Sequence, residues 1–434
     1  MASRRVVITG MGLVSPLGVS PADLWDGLTS SRSGIARFQS LPAEALPTPF
    51  GGEAREFTGD IQQFGPLEKT LQRNIKKGLK LMCREIEMGV AAAQLALTDA
   101  GLTLGKYDPE RTGVLYGSDY IMTTPDEFIA GIRRCIDAEG QFHFERWGSE
   151  GLNQVTPLWL LKYLPNMPAS HIAIYNDLRG PSNSITLREA SSNLAVGEAA
   201  ATIARGAADI IVAGATGTRV HAVRTVHVML QEQVADGALE PERACRPFDR
   251  DRTGMVLGEG AGALVLEDLE TAQARGATIL GEIAGAGSSA VRESDGIADY
   301  EESIFNAVNA ALAGGKLKAS EVGHVCAHGI ATQKCDAEEA RAVKRVFDGR
   351  PIPVTAPKSN FGNLGAGGGM VELIASIKAL VAGRLYPTLN YETPDPNCDI
   401  HVARGDEEAG DSFVNVNITP QGQASAVAVR KWGS

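Results

Sequence analysis

The chain opens on a short apolar run, Val6-Val7-Ile8-Thr9, that is broken at Gly10 and Gly12. A β-branched run bounded by glycine predicts a buried strand followed by a glycine turn. Ser20, Pro21 and Asp23 then stand in the order of an N-cap, a first helical position and a first-turn carboxylate, which predicts a helix start. From Met88 to Leu102 the pattern Val90, Ala91, Leu95, Ala96, Leu97 ends at Gly101 and predicts a helix packed closely through small residues. A strand, Gly113 to Gly117, is predicted directly after it.

The same order recurs later in the chain. Ile304 to Leu312 predicts a helix, and Val322 to Ala327 a buried strand that ends at His328. A second pair, the helix Leu194 to Ala207 and the strand Asp209 to Ala213, is echoed by the helix Val371 to Val381 and the closing strand Ala426 to Val429. Valine- and isoleucine-rich strands alternating with alanine-rich helices indicate α/β layers with mixed or parallel sheets buried on both faces. The repetition predicts a duplicated fold, with a first half over 1–260 and a second over 261–434. Residues from about 119 to 168 interrupt the first half with Phe142, His143, Phe144 and Trp147, and read as an insertion covering a site or a subunit interface.

Charge removes several classes of function. Forty-one basic against 52 acidic residues leave a net charge of -11, so no chain-wide basic field attracts nucleic acid or anionic lipid. No apolar run approaches a membrane span, so no membrane partner is expected. The six cysteines lack paired or metal-ligand spacing, which predicts a reducing cytoplasm and no metal. Gly10-Met11-Gly12 lacks the third glycine and the downstream acid of a dinucleotide fingerprint, and no Gly-x-x-x-x-Gly-Lys-Ser/Thr loop occurs. No cofactor is expected.

Four segments carry candidate chemistry: Thr9 to Gly18, the run from Arg246 through Gly254 to Gly262, His328-Gly329-Ile330-Ala331-Thr332, and Lys358-Ser359-Asn360-Phe361-Gly362-Asn363. Together they resemble the β-ketoacyl-acyl carrier protein synthases of the type II elongating class, from Val6 to Val429 apart from the insertion. The resemblance implies a duplicated thiolase-like α/β fold: two mixed sheets with central helices, in a layered αβαβα arrangement. It also implies a dimer, as a homodimer or with a cysteine-bearing synthase, that works on acyl carrier protein.

That chemistry needs a cysteine at a helix start, where dipole and amides favour thiolate, and two histidines that donate to a thioester carbonyl. Counting from Gly180-Pro181 to Gly197-Glu198, the cysteine position is Glu189, and no cysteine lies within forty residues of it. The first histidine position is His328, with Thr332 as a supporting residue, and the second is Asn363. The glycine-phenylalanine gate falls near Ile418 to Gly422, without its phenylalanine. Lys358 and Glu259 resemble the family's internal charged pair. Glu189 either takes part in chemistry, caps its helix or pairs with Arg188.

A carboxylate attacking a thioester gives an anhydride more reactive than the thioester, so Glu189 cannot store an acyl chain. The expectation is a non-condensing homologue of fatty acid or polyketide synthesis, similar to the chain-length factors that pair with an active synthase. The alternatives are a malonyl-acyl carrier protein decarboxylase using His328 and Asn363, and a synthase that condenses by an atypical route.

Overall fold

The computed structural model describes residues 4–294 and 296–433. The first half contributes strands β1 (Val6–Val14), β2 (Ile35–Arg37), β3 (Phe50–Gly52), β4 (Thr112–Ser118), β5 (Ser182–Thr186), β6 (Ile210–Thr218) and β7 (Glu259–Asp268). The second contributes β8 (Gly281–Ala290), β9 (His324–Cys326), β10 (Pro353–Thr355), β11 (His401–Val402), β12 (Ser412–Ile418) and β13 (Gln423–Arg430).

Sheet order shows the duplication directly. The first half runs β1-β7-β6-β4-β5 and the second β8-β13-β12-β9-β10, with β11 added at the far edge. Sense is repeated too: β1 and β6 are antiparallel to β7 while β4 is parallel to β5 and β6. In the second half β8 and β12 are antiparallel to β13, and β9 is parallel to β10 and β12. The two mixed sheets meet edge to edge, where β1 and β8 pair antiparallel at Val7 with Glu282 and Ile8 with Gly281, so eleven strands form one continuous ladder.

This order corrects one expected correspondence. The counterpart of β6, the strand after the first central helix, is β12 rather than the closing strand β13, which matches β7. The division expected at residue 260 falls inside β7, whose partners β1 and β6 both precede it.

Between the layers lie helices Ser191–Ala204 and Gly368–Ala382. Val196, Ala199 and Ile203 of the first share one core with Met370, Val371, Ile374 and Ile377 of the second. Each fully buried Val, Ile or Met side chain there contributes about 2 kcal/mol. The stretch Gly365–Ala382 is long and apolar enough to cross a membrane, and it is mostly buried inside the fold.

β1 does not turn at its glycines. It continues through Gly10 and Gly12 to Val14, with a register shift between Ile8 and Gly10. Helix Arg84–Asp99 lies so close that a side chain at Gly10 or Gly12 would collide with the backbone at Ala96 or Ala92. The missing Cβ therefore serves close packing rather than a turn. The helix at Pro21–Thr29 does start at Ser20, whose hydroxyl accepts from the Asp23 N–H at 3.1 Å.

Candidate functional site

β5 ends at Thr186, and the chain reaches the central helix Ser191–Ala204 through a short turn, Arg188–Ala190. Arg188 lies at φ 50°, a left-handed conformation that costs an ordinary side chain about 1 kcal/mol or more and swings residue 189 inward. Glu189 is 1% exposed. Its carboxylate pairs with the guanidinium of Arg219, which has no exposed surface, and accepts from the Asn363 amide at 3.1 Å. Arg188 Nε lies 3.6 Å from its other oxygen. Burial opposes the charge, but Arg219 first and Arg188 second outweigh burial and hold this carboxyl well below the usual range. Glu189 is thus an ion-paired carboxylate, and its side chain makes no cap at the helix start.

Asn363 is held in place from both ends. Its Oδ1 accepts from the Gly365 N–H at 3.0 Å and its own N–H donates to the Val256 carbonyl at 2.8 Å. Its amide donor is directed at Glu189 rather than at open space.

His328 follows β9, on a loop fixed by two buried carboxyls of helix Gln333–Val346. Glu339 accepts from the His328 and Gly329 N–H groups at 2.7 and 2.8 Å, and Asp336 from Ile330 at 3.0 Å. Gly329 has φ 42°, and a Cβ there would stand 2.7 Å from Ala356 Cβ, so the tight turn needs glycine. Burial, and then the Lys358 ammonium, lower the His328 pKa well below the usual histidine value. Lys358 Nζ lies 3.4 Å from His328 Nδ1 and donates to its carbonyl at 2.7 Å. A neutral ring whose Nδ1 faces an ammonium carries its proton on Nε2 and remains a donor.

The expected pair of Lys358 with Glu259 does not form. Lys358 pairs with Glu372, which accepts from the Asn417 amide at 2.7 Å. Glu259 lies on β7 and pairs with Arg84 at 2.7 Å, in a different part of the fold. An ammonium buried beside His328 requires a buried carboxylate next to it, and Glu372 on the central helix meets that need. Sequence reading missed Glu372 and Arg219. Glu372 had a visible signal, as the single acid in the apolar run Met370 to Leu380. Arg219 had none.

A pocket of about 300 Å³ opens beside His328, lined by Glu232, Met255, Tyr300, Ile330, Thr332 and Cys335 among others. Thr332 is half-buried on its wall, and Ile418, Thr419 and Pro420 form the side where the gate was expected. Glu189, Arg219 and Asn363 are not on its lining. The thiol of Cys335 is pushed well above its ordinary value by burial and by the Glu339 and Asp336 carboxyls, so it offers no thiolate to the pocket.

Glu232 pairs with Arg188 and lies 3.5 Å from Arg219. Elsewhere in the first half, buried Arg224 pairs with Asp119 and lies 3.6 Å from Glu85. Burial pushes the Glu85 carboxyl up to about 8.

The duplicated sheets and central helices define a thiolase-like fold, and comparison with known proteins agrees. "Beta-ketoacyl synthase, N-terminal domain" matches residues 3–272 and "Beta-ketoacyl synthase, C-terminal domain" matches residues 280–392. The 3-oxoacyl-(acyl-carrier-protein) synthase 2 of Synechocystis sp. is 31% identical over 413 residues, 94% of this chain and 93% of the relative. That of Staphylococcus aureus strain COL is 30% identical over 437 residues, 99% and 98% of the two chains. Among solved structures, a β-ketoacyl synthase from Burkholderia phymatum STM815 is 28% identical with a TM-score of 0.82 over 99% of each chain. The ishigamide ketosynthase/chain length factor is 27% identical with a TM-score of 0.80 over all of both chains. The chain belongs to the β-ketoacyl synthase family, as a β-ketoacyl-acyl carrier protein synthase-like protein of fatty acid or polyketide synthesis.

Proposed function

We propose that this protein is a non-condensing member of its family, a cytoplasmic partner of chain-length-factor type that engages acyl carrier protein without forming an acyl-enzyme. One observation carries the reading: residue 189, at the nucleophile position, is a carboxylate ion-paired to Arg219 and hydrogen-bonded to Asn363. A carboxylate so held is a poor nucleophile, and an anhydride formed from it would hydrolyse. The relatives named for carrier-protein-linked synthesis support the choice of partner. So does helix Lys69–Gly78 with Lys80, which exposes Lys69, Arg73, Lys76 and Lys77 on a chain that is acidic overall, a basic face suited to an acidic carrier.

Malonyl decarboxylation is the second reading, favoured by a neutral His328 on the pocket wall. It ranks lower because the second donor, Asn363, is bound to Glu189. Mass spectrometry of the purified protein with malonyl- and acyl-carrier protein separates the readings. The expected result is binding with no mass added to the protein and no acetyl-carrier protein formed. Acetyl-carrier protein lost on His328→Ala would establish the second reading, and a stable acyl adduct would overturn the first.

A further inference from the structure

The insertion at 119–168 closes on itself. The Ser118 hydroxyl donates to the Pro165 carbonyl at 2.9 Å where its two ends meet, and inside it the Phe128 ring packs against Trp147 and Trp159 with centroids 6.3 and 4.8 Å apart. None of its residues lines the pocket beside His328. Its first residue, Asp119, pairs instead with Arg224 of helix Ala222–Gln231. Its second, Tyr120, lies under the same guanidinium at 4.5 Å and shares a hydrogen bond with His227 of that helix at 3.1 Å. The other end of the helix reaches the pocket: Gln231 and Glu232 are on its wall, Glu232 eight residues beyond Arg224 and so about 12 Å further along the axis. Arg224 also has a second carboxyl within reach, Glu85 of helix Arg84–Asp99 at 3.6 Å. Arg224, Asp119 and Glu85 are each 2% exposed, so a guanidinium that leaves one carboxyl must take the other rather than water. The Arg224 Nε and one Glu85 oxygen are both buried without a hydrogen-bond partner among the described residues, an unused donor and acceptor where that exchange would place them.

We propose that Arg224 is a latch coupling the insertion to the pocket: it holds the insertion down through Asp119, and lifting the insertion transfers it to Glu85, shifting its helix and the Glu232 end of the pocket wall. A helix carries such a shift along its length as a rigid element. Coupling of this kind is reciprocal, so disturbing Glu232 at the pocket also loosens the insertion.

The test compares Asp119→Asn with the unmodified whole protein through two rates. One is trypsin cleavage after Arg133 and Arg134, which are exposed within the insertion. The other is N-ethylmaleimide labelling of Cys335 on the pocket wall, mapped by mass spectrometry. Both rates should rise by about tenfold, while Cys245 and Cys398, buried away from the pocket lining, stay unlabelled. Faster cleavage with Cys335 unchanged would overturn the coupling, and no change in either rate would overturn the latch. Labelling of Cys245 and Cys398 alongside Cys335 would overturn both, because the loss would then be of the fold as a whole. Glu232→Gln leaves the Arg224–Asp119 pair in place and decides the question from the other end, including where Asp119→Asn fails to fold. It should speed cleavage of the insertion, and an unchanged cleavage rate would overturn the proposal.

Discussion

Arg219 follows β6 and Glu189 follows β5, and the two meet as a fully buried ion pair. Neither charge has a route to solvent, so each is the condition for the other. Removing one partner of such a pair costs about 3–5 kcal/mol, whereas removing both together with apolar replacements costs much less. Arg219→Met should therefore destabilise the protein by about that amount, and Arg219→Met/Glu189→Met should recover most of it. Urea denaturation of the two single variants and the double variant measures the coupling. Additive losses would mean that the pair carries no interaction energy.

Glu189→Cys places a thiol beside the Arg219 guanidinium, which favours thiolate. Slow self-acylation from acyl-carrier protein should appear at residue 189, read by intact mass and peptide mapping, while the unmodified protein takes up none. Condensation should stay weak, because Asn363, which the sequence resemblance sets at the second histidine position, supplies an amide there. No acylation of the variant would mean that a thioester cannot reach residue 189 at all.

Glu85 gives the stability a pH dependence of definite sign. Its folded value of about 8 exceeds its ordinary 4.5 because burial disfavours the charge. Below 4.5 the carboxyl is protonated folded or unfolded and contributes nothing. As pH rises, the unfolded chain ionises first, so stability falls from about 4.5 until the folded group ionises near 8, with an upper bound of about 5 kcal/mol. Glu85→Gln should flatten stability across that window. Melting curves taken at intervals of pH check this, and an unchanged slope would remove Glu85 as its source.

β5 ends the ladder with an open edge, and Leu158, Phe144 and Ile174 expose apolar surface. An unpaired edge with apolar surface invites a second subunit. Light scattering at micromolar concentration should find a dimer, and co-expression with a cysteine-bearing synthase from the same source should yield a mixed dimer in preference. A monodisperse monomer would count against the partner role.

What was legible in this chain was what repeats. Buried β-branched runs and alanine-rich helices recur along the chain, so a duplication with central helices could be read from pattern, whereas the matching of the closing strand and the boundary at 260 could not. The order broke down where one signal has two causes: Gly10 and Gly12 read as a turn but mark the close passage of a helix. At the site, motif spacing placed Glu189, His328 and Asn363, and the structure brings the first and third into direct contact. It did not supply their partners. Arg219 lies thirty residues beyond Glu189, after a different strand, and no local pattern ties two residues brought together by sheet order. The resemblance pairs Lys358 with Glu259, whereas burial beside His328 selects Glu372 from the facing helix.

The bond from Asn363 to Glu189 also crosses the molecule's own duplication, with the carboxylate supplied by one copy of the ancestral unit and the amide by the other. Each copy alone is therefore half a site. The Asn363 amide thereby fastens one half of the chain to the other, and its loss would loosen a contact between the halves rather than one within either.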